Sequence, residues 1–241
     1  MGRARGEGPG VTAAAGAPVD GAPRCGLVAL GDSITYGHGG MQSGLGSQSW
    51  AMWLAEAMGL PFTRLAVNGA TVRDVVEHQL PRLAGPYDVG CLYIGVNDVR
   101  GPDWDPAAYA RDLATVVATL DVVCDRLLLV ALPLDLGLPP AGAKVLQANS
   151  AVEHEGARHH APVVDLRDFT GARWVWADRV HATATGQVEI ADRAARALDA
   201  PLPSRAVVDP PRPDLSYAYH YGRRTLREQA RVALARVCRT S

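Results

Sequence analysis

The chain has 241 residues, 48% of them hydrophobic, and a formal net charge of −1. This length suits one α/β domain with appendages, and the apolar share is enough to bury a sizeable core. The near-zero charge excludes a global attraction to nucleic acid or to an anionic membrane. No run approaches the ~18 consecutive apolar residues of a membrane span.

Residues 1–24 are rich in Gly, Ala and Pro and lack the apolar core of a signal peptide. They are expected to form a disordered arm on a cytoplasmic protein. Residues 27–30 (Leu-Val-Ala-Leu) read as a short buried strand that Gly31 breaks. Ser33 follows just past the strand's carboxyl end, where open α/β sheets keep their sites. Asp32 and Ser33 also read as a plain helix cap. Residues 36–49 hold five glycines, so this loop either shapes a pocket beside Ser33 or merely connects. His38 within it is a candidate substrate contact. Residues 50–58 carry Trp50, Trp53, Leu54, Ala57 and Met58 at helical spacing, and Gly59 and Pro61 end that helix.

A second strand is expected over residues 62–67, followed by Asn68-Gly69-Ala70-Thr71. Thr71 with Asp74 predicts a capping box for a helix whose Val72, Val75, Val76 and Leu80 face the sheet. A third strand over residues 89–94 leads into Gly95-Val96-Asn97-Asp98. Asp105-Pro106 then starts a helix to about Val122, with Leu113, Val116, Val117 and Leu120 inward. The apolar residues 126–132 read as a central parallel strand. The Pro- and Leu-rich residues 134–140 are a candidate wall for an acyl pocket. A helix over residues 143–158 and a fifth strand over residues 162–166 follow. Trp174-Val175-Trp176 precedes Asp178-Arg179-Val180-His181 and reads chiefly as core packing. Thr183 or Thr185 begins a last helix reaching about Leu198. Strands alternating with helices predict a parallel sheet covered on both faces.

The composition changes beyond residue 200. Residues 201–215 form a Pro-rich linker. Residues 202–241 carry eight Arg against three acids, whereas the rest of the chain has a net charge of −6. Residues 216–241 read as a basic helix with a thin apolar stripe of Leu226, Ala230, Ala233 and Val237. Docking of this helix on its own domain or on a second subunit in a homo-oligomer is favoured over membrane contact through residues 216–237, because two of the four stripe residues are alanines.

Cys25, Cys91, Cys124 and Cys238 form no CxxC pair, so they read as reduced thiols rather than metal ligands. His154, His159 and His160 have no HExxH frame. No cofactor or metal is expected.

A serine hydroxyl attacks a carbonyl only when a base removes its proton, and the resulting oxyanion needs donors. Ser33 is the nucleophile candidate and His181 the base, since imidazole titrates near neutrality. Asp178, three residues before His181, is placed to bond its Nδ1 and leave Nε2 for Ser33. Gly69 lets backbone approach closely, and the Asn97 amide donates without carrying charge. These stretches, taken in order, resemble the SGNH (GDSL-type) hydrolase family over residues 27–198. The resemblance implies a flavodoxin-like three-layer α/β/α fold with a parallel five-stranded sheet, spanning residues 25–200. It also implies an oxyanion hole made by the Ser33 and Gly69 N–H groups and the Asn97 side chain. Tyr36, Arg64 and Val96 depart from common family patterns, which bears on the pocket rather than the reaction. The composition, rich in Arg and Ala with Lys144 the single lysine, is actinobacterial-like.

The expected activity is that of a serine ester hydrolase, an esterase or lipase. It would act through an acyl-serine on acyl or acetyl esters of a small metabolite, carbohydrate or lipid. An acyltransferase would use the same groups and pass the acyl unit to an alcohol instead of water. A non-catalytic binding module that keeps the fold is the third reading, and covalent labelling of Ser33 separates it from the other two.

Overall fold

The structure is a computed structural model and describes residues 23–39, 45–205 and six helical positions between 219 and 230. Most of the expected N-terminal arm (residues 1–22), much of the linker and most of the basic tail lie outside the described residues, as does Cys238. Leu226 and Ala230 of the predicted apolar stripe are described, and both are exposed. Among the described residues no helix is long and apolar enough to cross a membrane.

Five strands form one parallel sheet: β1 (Leu27–Gly31), β2 (Phe62–Arg64), β3 (Tyr87–Tyr93), β4 (Cys124–Val130) and β5 (Val163–Val164). The spatial order is β2-β1-β3-β4-β5, so the direction of winding reverses between β1 and β3. Helices α1 (Ser33–Tyr36), α2 (Trp50–Met58), α3 (Val72–Asp74), α4 (Val96–Arg100), α5 (Pro106–Val123), α6 (Ala143–Arg158) and α7 (Ala184–Ala197) complete the domain. α2 packs with α7, and α5 with α6. Right-handed crossovers put these two pairs on opposite faces of the sheet. The flavodoxin-like three-layer fold expected from the sequence is thus observed.

The central strands are apolar throughout because both of their faces are covered. Leu27, Val28, Ala29 and Leu30 are fully buried, as are Leu54 on α2 and Val116, Val117 and Leu120 on α5. α2 and α6 keep their expected bounds, and α5 starts on the Asp105 cap, whose carboxylate accepts from the Ala107 and Ala108 amides. β3 begins two residues and ends one residue earlier than expected, β4 begins and ends two residues earlier, and three further elements differ more. β2 ends at Arg64 because the Leu65 and Ala66 amides both bond the Ala29 carbonyl, a bulge that breaks the ladder. β5 shrinks to two residues because Asp165 turns to accept from the Arg167 backbone and side chain. The helix capped by Thr71 runs only over α3. It then widens into a π turn at Val75–Gln79 and a 3₁₀ turn at Leu80–Arg82. The capping box itself is present, with Thr71 N–H donating to Asp74 Oδ2 at 2.8 Å and Asp74 N–H to Thr71 Oγ1 at 3.3 Å.

The π turn has a local consequence. It buries Gln79, while the expected inward residue Leu80 stays half-buried. Such wide turns often mark functional sites, and this one faces the end of β1.

Candidate active site

β1 delivers Ser33 to the point where the winding reverses, outside the carboxyl ends of the strands. The turn that does so is held from several sides. Gly31 sits at φ +147°, and a Cβ there would lie 2.2 Å from the Tyr93 carbonyl oxygen. The Gln79 amide grips this glycine twice, accepting from its N–H at 2.9 Å and donating to its C=O at 2.8 Å. Asp32 caps α1 by accepting from the Ile34 N–H at 2.9 Å. Gln187 on α7 donates to the Ile34 carbonyl at 3.0 Å and accepts from the Trp50 N–H at 2.9 Å. Ser49 Oγ donates to the Thr35 carbonyl at 2.7 Å. A four-residue helix has little stability of its own, so these long-range bonds are what position Ser33.

His181 arrives from the opposite end of the chain. Its Nε2 lies 3.0 Å from Ser33 Oγ, and its Nδ1 lies 2.9 Å from Asp178 Oδ2. The other carboxylate oxygen of Asp178 accepts from the Val180 and His181 N–H groups at 2.9 and 3.0 Å. A narrow hairpin supports the turn: Val175 pairs with Ala182, and Trp176 N–H donates to the His181 carbonyl at 2.8 Å. Arg179 at its tip adopts φ +54° and is tied by an ion pair to Asp135, 2.8 Å away. Burial would raise the Asp178 carboxyl, but the His181 imidazole and the two backbone donors outweigh it and hold the group at about 2. Asp178 therefore remains an acceptor at neutral pH, and the Nδ1 proton is directed to it.

The loops after β2 and β3 flank this pair. Gly69 lies in the Asn68-Gly69 turn at φ +81° with open space where a Cβ would stand. Backbone conformation, not a close protein neighbour, is what calls for glycine there. Asn97 lies in the first turn of α4 and donates from Nδ2 to the Ala70 carbonyl at 2.9 Å. A side-chain amide has two such protons, so this bond fixes the group and leaves one donor over. Asp98 beside it accepts from the Val72 N–H at 3.1 Å, joining the two loops. A cleft of about 320 Å³ opens at Asn97, lined also by Thr71, Val72, Asp98, Trp104 and Tyr109. Ser33, Gly69 and His181 are not among its lining residues, and neither is the loop at residues 134–140 that is expected to wall an acyl pocket.

The profile of the GDSL-like lipase/acylhydrolase family matches residues 29–188. The chain belongs to this family. It is a carboxylic ester hydrolase, and the matched span runs from β1 through Asp178 and His181 into α7. Several solved structures share the fold. An α/β hydrolase from the metagenome of Lake Arreo, Spain, is 21% identical with a TM-score of 0.60, over 73% of this chain and 95% of its own. Axe2, an acetylxylan esterase from Geobacillus stearothermophilus, is 22% identical with a TM-score of 0.56, over 72% and 93%. A GDSL-like lipase from Parabacteroides merdae, described as putative, is 17% identical with a TM-score of 0.59, over 73% and 96%. No curated protein matches the chain.

Ser33, Asp178 and His181 are thus brought together, and Gly69 and Asn97 stand on the two neighbouring loops. His38 lies against this hydrolase's His181, with ring centroids 4.8 Å apart. Tyr36 and Arg64, two of the departures from the family pattern, contact each other: the guanidinium sits 4.0 Å over the Tyr36 ring and donates to its carbonyl at 3.0 Å. Trp176 is buried as expected, whereas Trp174 is half-buried and stacks on Phe169. Cys91 and Cys124 are buried free thiols, but Cys25 is exposed. Sequence reasoning did not single out Gln79, Gln187 or Asp32 as parts of the site. For Gln79 the available signal was a polar residue amid the inward stripe of Val72, Val75, Val76 and Leu80.

Proposed function

We propose that this hydrolase cleaves short acyl esters, acetyl esters first, through an acyl-serine intermediate. Ser33 Oγ attacks the ester carbonyl as His181 Nε2 takes its proton. Asp178 holds the tautomer and stabilises the imidazolium. The oxyanion is met by the Ser33 and Gly69 N–H groups and the spare Asn97 proton. The carbonyl reforms as the C–O bond to the alcohol breaks, and His181 returns its proton to the leaving alcohol. Water, activated by the same imidazole, then releases the acid and restores Ser33.

The observation that carries this reading is the unbroken run from Ser33 Oγ through His181 to Asp178, 3.0 and 2.9 Å long. The substrate class draws on the cleft at Asn97. Asp98, Asp103, Asp105 and Asp112 stand around a single Arg73 there, which disfavours an anionic headgroup. The acetylxylan esterase among the structural neighbours adds weight to an acetylated carbohydrate.

The test is a panel of p-nitrophenyl esters from acetate to palmitate alongside acetylated sugars, with fluorophosphonate labelling. Activity should peak at acetate or propionate. Ser33→Ala should abolish labelling and lower turnover by several orders of magnitude in a folded protein. Unchanged turnover in that variant refutes the assignment.

A further inference from the structure

Asp32 is adjacent to Ser33 and fully buried. One of its carboxyl oxygens accepts from the Ile34 N–H. The other, Oδ2, is buried with no hydrogen-bond partner among the described residues. Capping does not require an ionisable group, because Asn or Ser caps a helix as well. A carboxyl here costs desolvation that a neutral cap avoids. The groups that face it are His181 on the hairpin, Asp98 on α4, Tyr93 on β3 and Tyr109 on α5. Burial raises both phenols far above neutrality, so they carry no charge. His181 is thus the only group of the four able to become a cation.

We propose that Asp32 is a switchable second carboxylate of the site: a positioning residue, neutral in acid, that once ionised stabilises the imidazolium formed at His181. This rests on the Ser33–His181–Asp178 reading above. Asp178 is already ionised across the working pH range and fixes the imidazole. Asp32 differs because burial, opposed by the Ile34 N–H and by His181, leaves it at about 7. A proton arriving on His181 during attack favours loss of the one on Asp32, since opposite charges in a low-dielectric site attract strongly. No covalent bond to Asp32 forms or breaks; only its own proton exchanges with solvent. Asp98 is also raised, by burial first, to about 6. Its carboxylate is bonded to the Val72 N–H, however, and it belongs to the cleft wall rather than to the nucleophile turn.

The experiment compares the pH dependence of kcat/KM in the wild-type chain, Asp32→Asn and Asp98→Asn, with fluorophosphonate labelling of each. Asparagine preserves the cap, so the ratio of wild type to Asp32→Asn should grow about tenfold between pH 5 and pH 8 as charge appears on Asp32. A purely structural cap gives a ratio independent of pH, and that result with Ser33 still labelled overturns the proposal alone. Absence of labelling in the wild-type chain removes the underlying serine mechanism instead. A larger growth for Asp98→Asn than for Asp32→Asn assigns the effect to the other carboxyl and also overturns it. Should Asp32→Asn fail to fold, infrared spectra of Asp98→Asn decide. A protonated-carboxyl band that persists at pH 6 and fades by pH 8 is expected, and its absence at pH 6 refutes the idea.

Discussion

Replacing Gln187 with Met removes both bonds that tie α7 to the nucleophile turn while nearly conserving side-chain volume. The Gln187 amide is fully buried and satisfies the Trp50 N–H and the Ile34 carbonyl at once. Methionine fills the space but leaves the Trp50 N–H without a partner, whereas the Ile34 carbonyl still accepts from the Gly37 N–H at 3.1 Å. An unsatisfied buried donor or acceptor costs about 1–3 kcal/mol. The Trp50 N–H therefore predicts a loss of about 1–3 kcal/mol, a sizeable part of the ~5–15 kcal/mol that holds a domain folded. With a urea m-value of about 2–3 kcal/mol/M, the unfolding midpoint should fall by about 0.3–1.5 M at constant m. The Ile34 carbonyl lies on α1 one residue after Ser33, so kcat should fall as well, with KM little changed. A midpoint shift below about 0.3 M, or a loss confined to KM, would refute the claim that Gln187 holds the nucleophile helix in place.

Asn97→Ala should lower kcat by about 10²–10³-fold with KM nearly constant, since its donor acts on developing charge; steady-state kinetics showing a KM effect instead would make Asn97 a substrate contact. Asp178→Asn should lower kcat by about 10²–10⁴-fold without unfolding the chain. The depressed Asp178 carboxyl contributes stability that is present above its ordinary value near 3.8 and lost as pH falls through about 2. The stability gap between wild type and Asp178→Asn in denaturant titrations should therefore be full at pH 7 and close toward pH 2. Thr71→Ala should cost about 1 kcal/mol in the same titrations through loss of the cap. The Thr71 side chain and backbone also hold the Asp74 carboxyl below its usual range. Part of the Thr71→Ala deficit should accordingly disappear as pH falls through the carboxylate range.

The local elements were legible in the sequence because their causes are local. Residues 27–30 are an unbroken apolar run and must lie between two covered faces. Asp105-Pro106 and Thr71 with Asp74 carry their own capping chemistry, and α2 keeps the bounds that helical spacing and the terminating Gly59 and Pro61 predict. Asp178 and His181 were also readable as a pair, since three residues of one turn set their geometry. The order of motifs placed Ser33, Gly69 and Asn97 after successive strands, and so at one end of a parallel sheet.

What the sequence could not supply were contacts between residues far apart along the chain. The Ser33–His181 bond spans 148 positions and the Gln187–Ile34 bond 153. Nothing near Gln79 announces that it will grip Gly31, and that contact coincides with the widening of a predicted α-helix into a π turn. The truncation of β2 likewise depends on two amides sharing the carbonyl of Ala29 on another strand. Burial of Asp32 is decided by the elements that close over it, and burial alone converts an ordinary helix cap into a group that titrates near neutrality. Periodicity and turn chemistry fix which elements form, because they act within a few residues; the distances and desolvation that make a site reactive exist only once the sheet has brought its loops together.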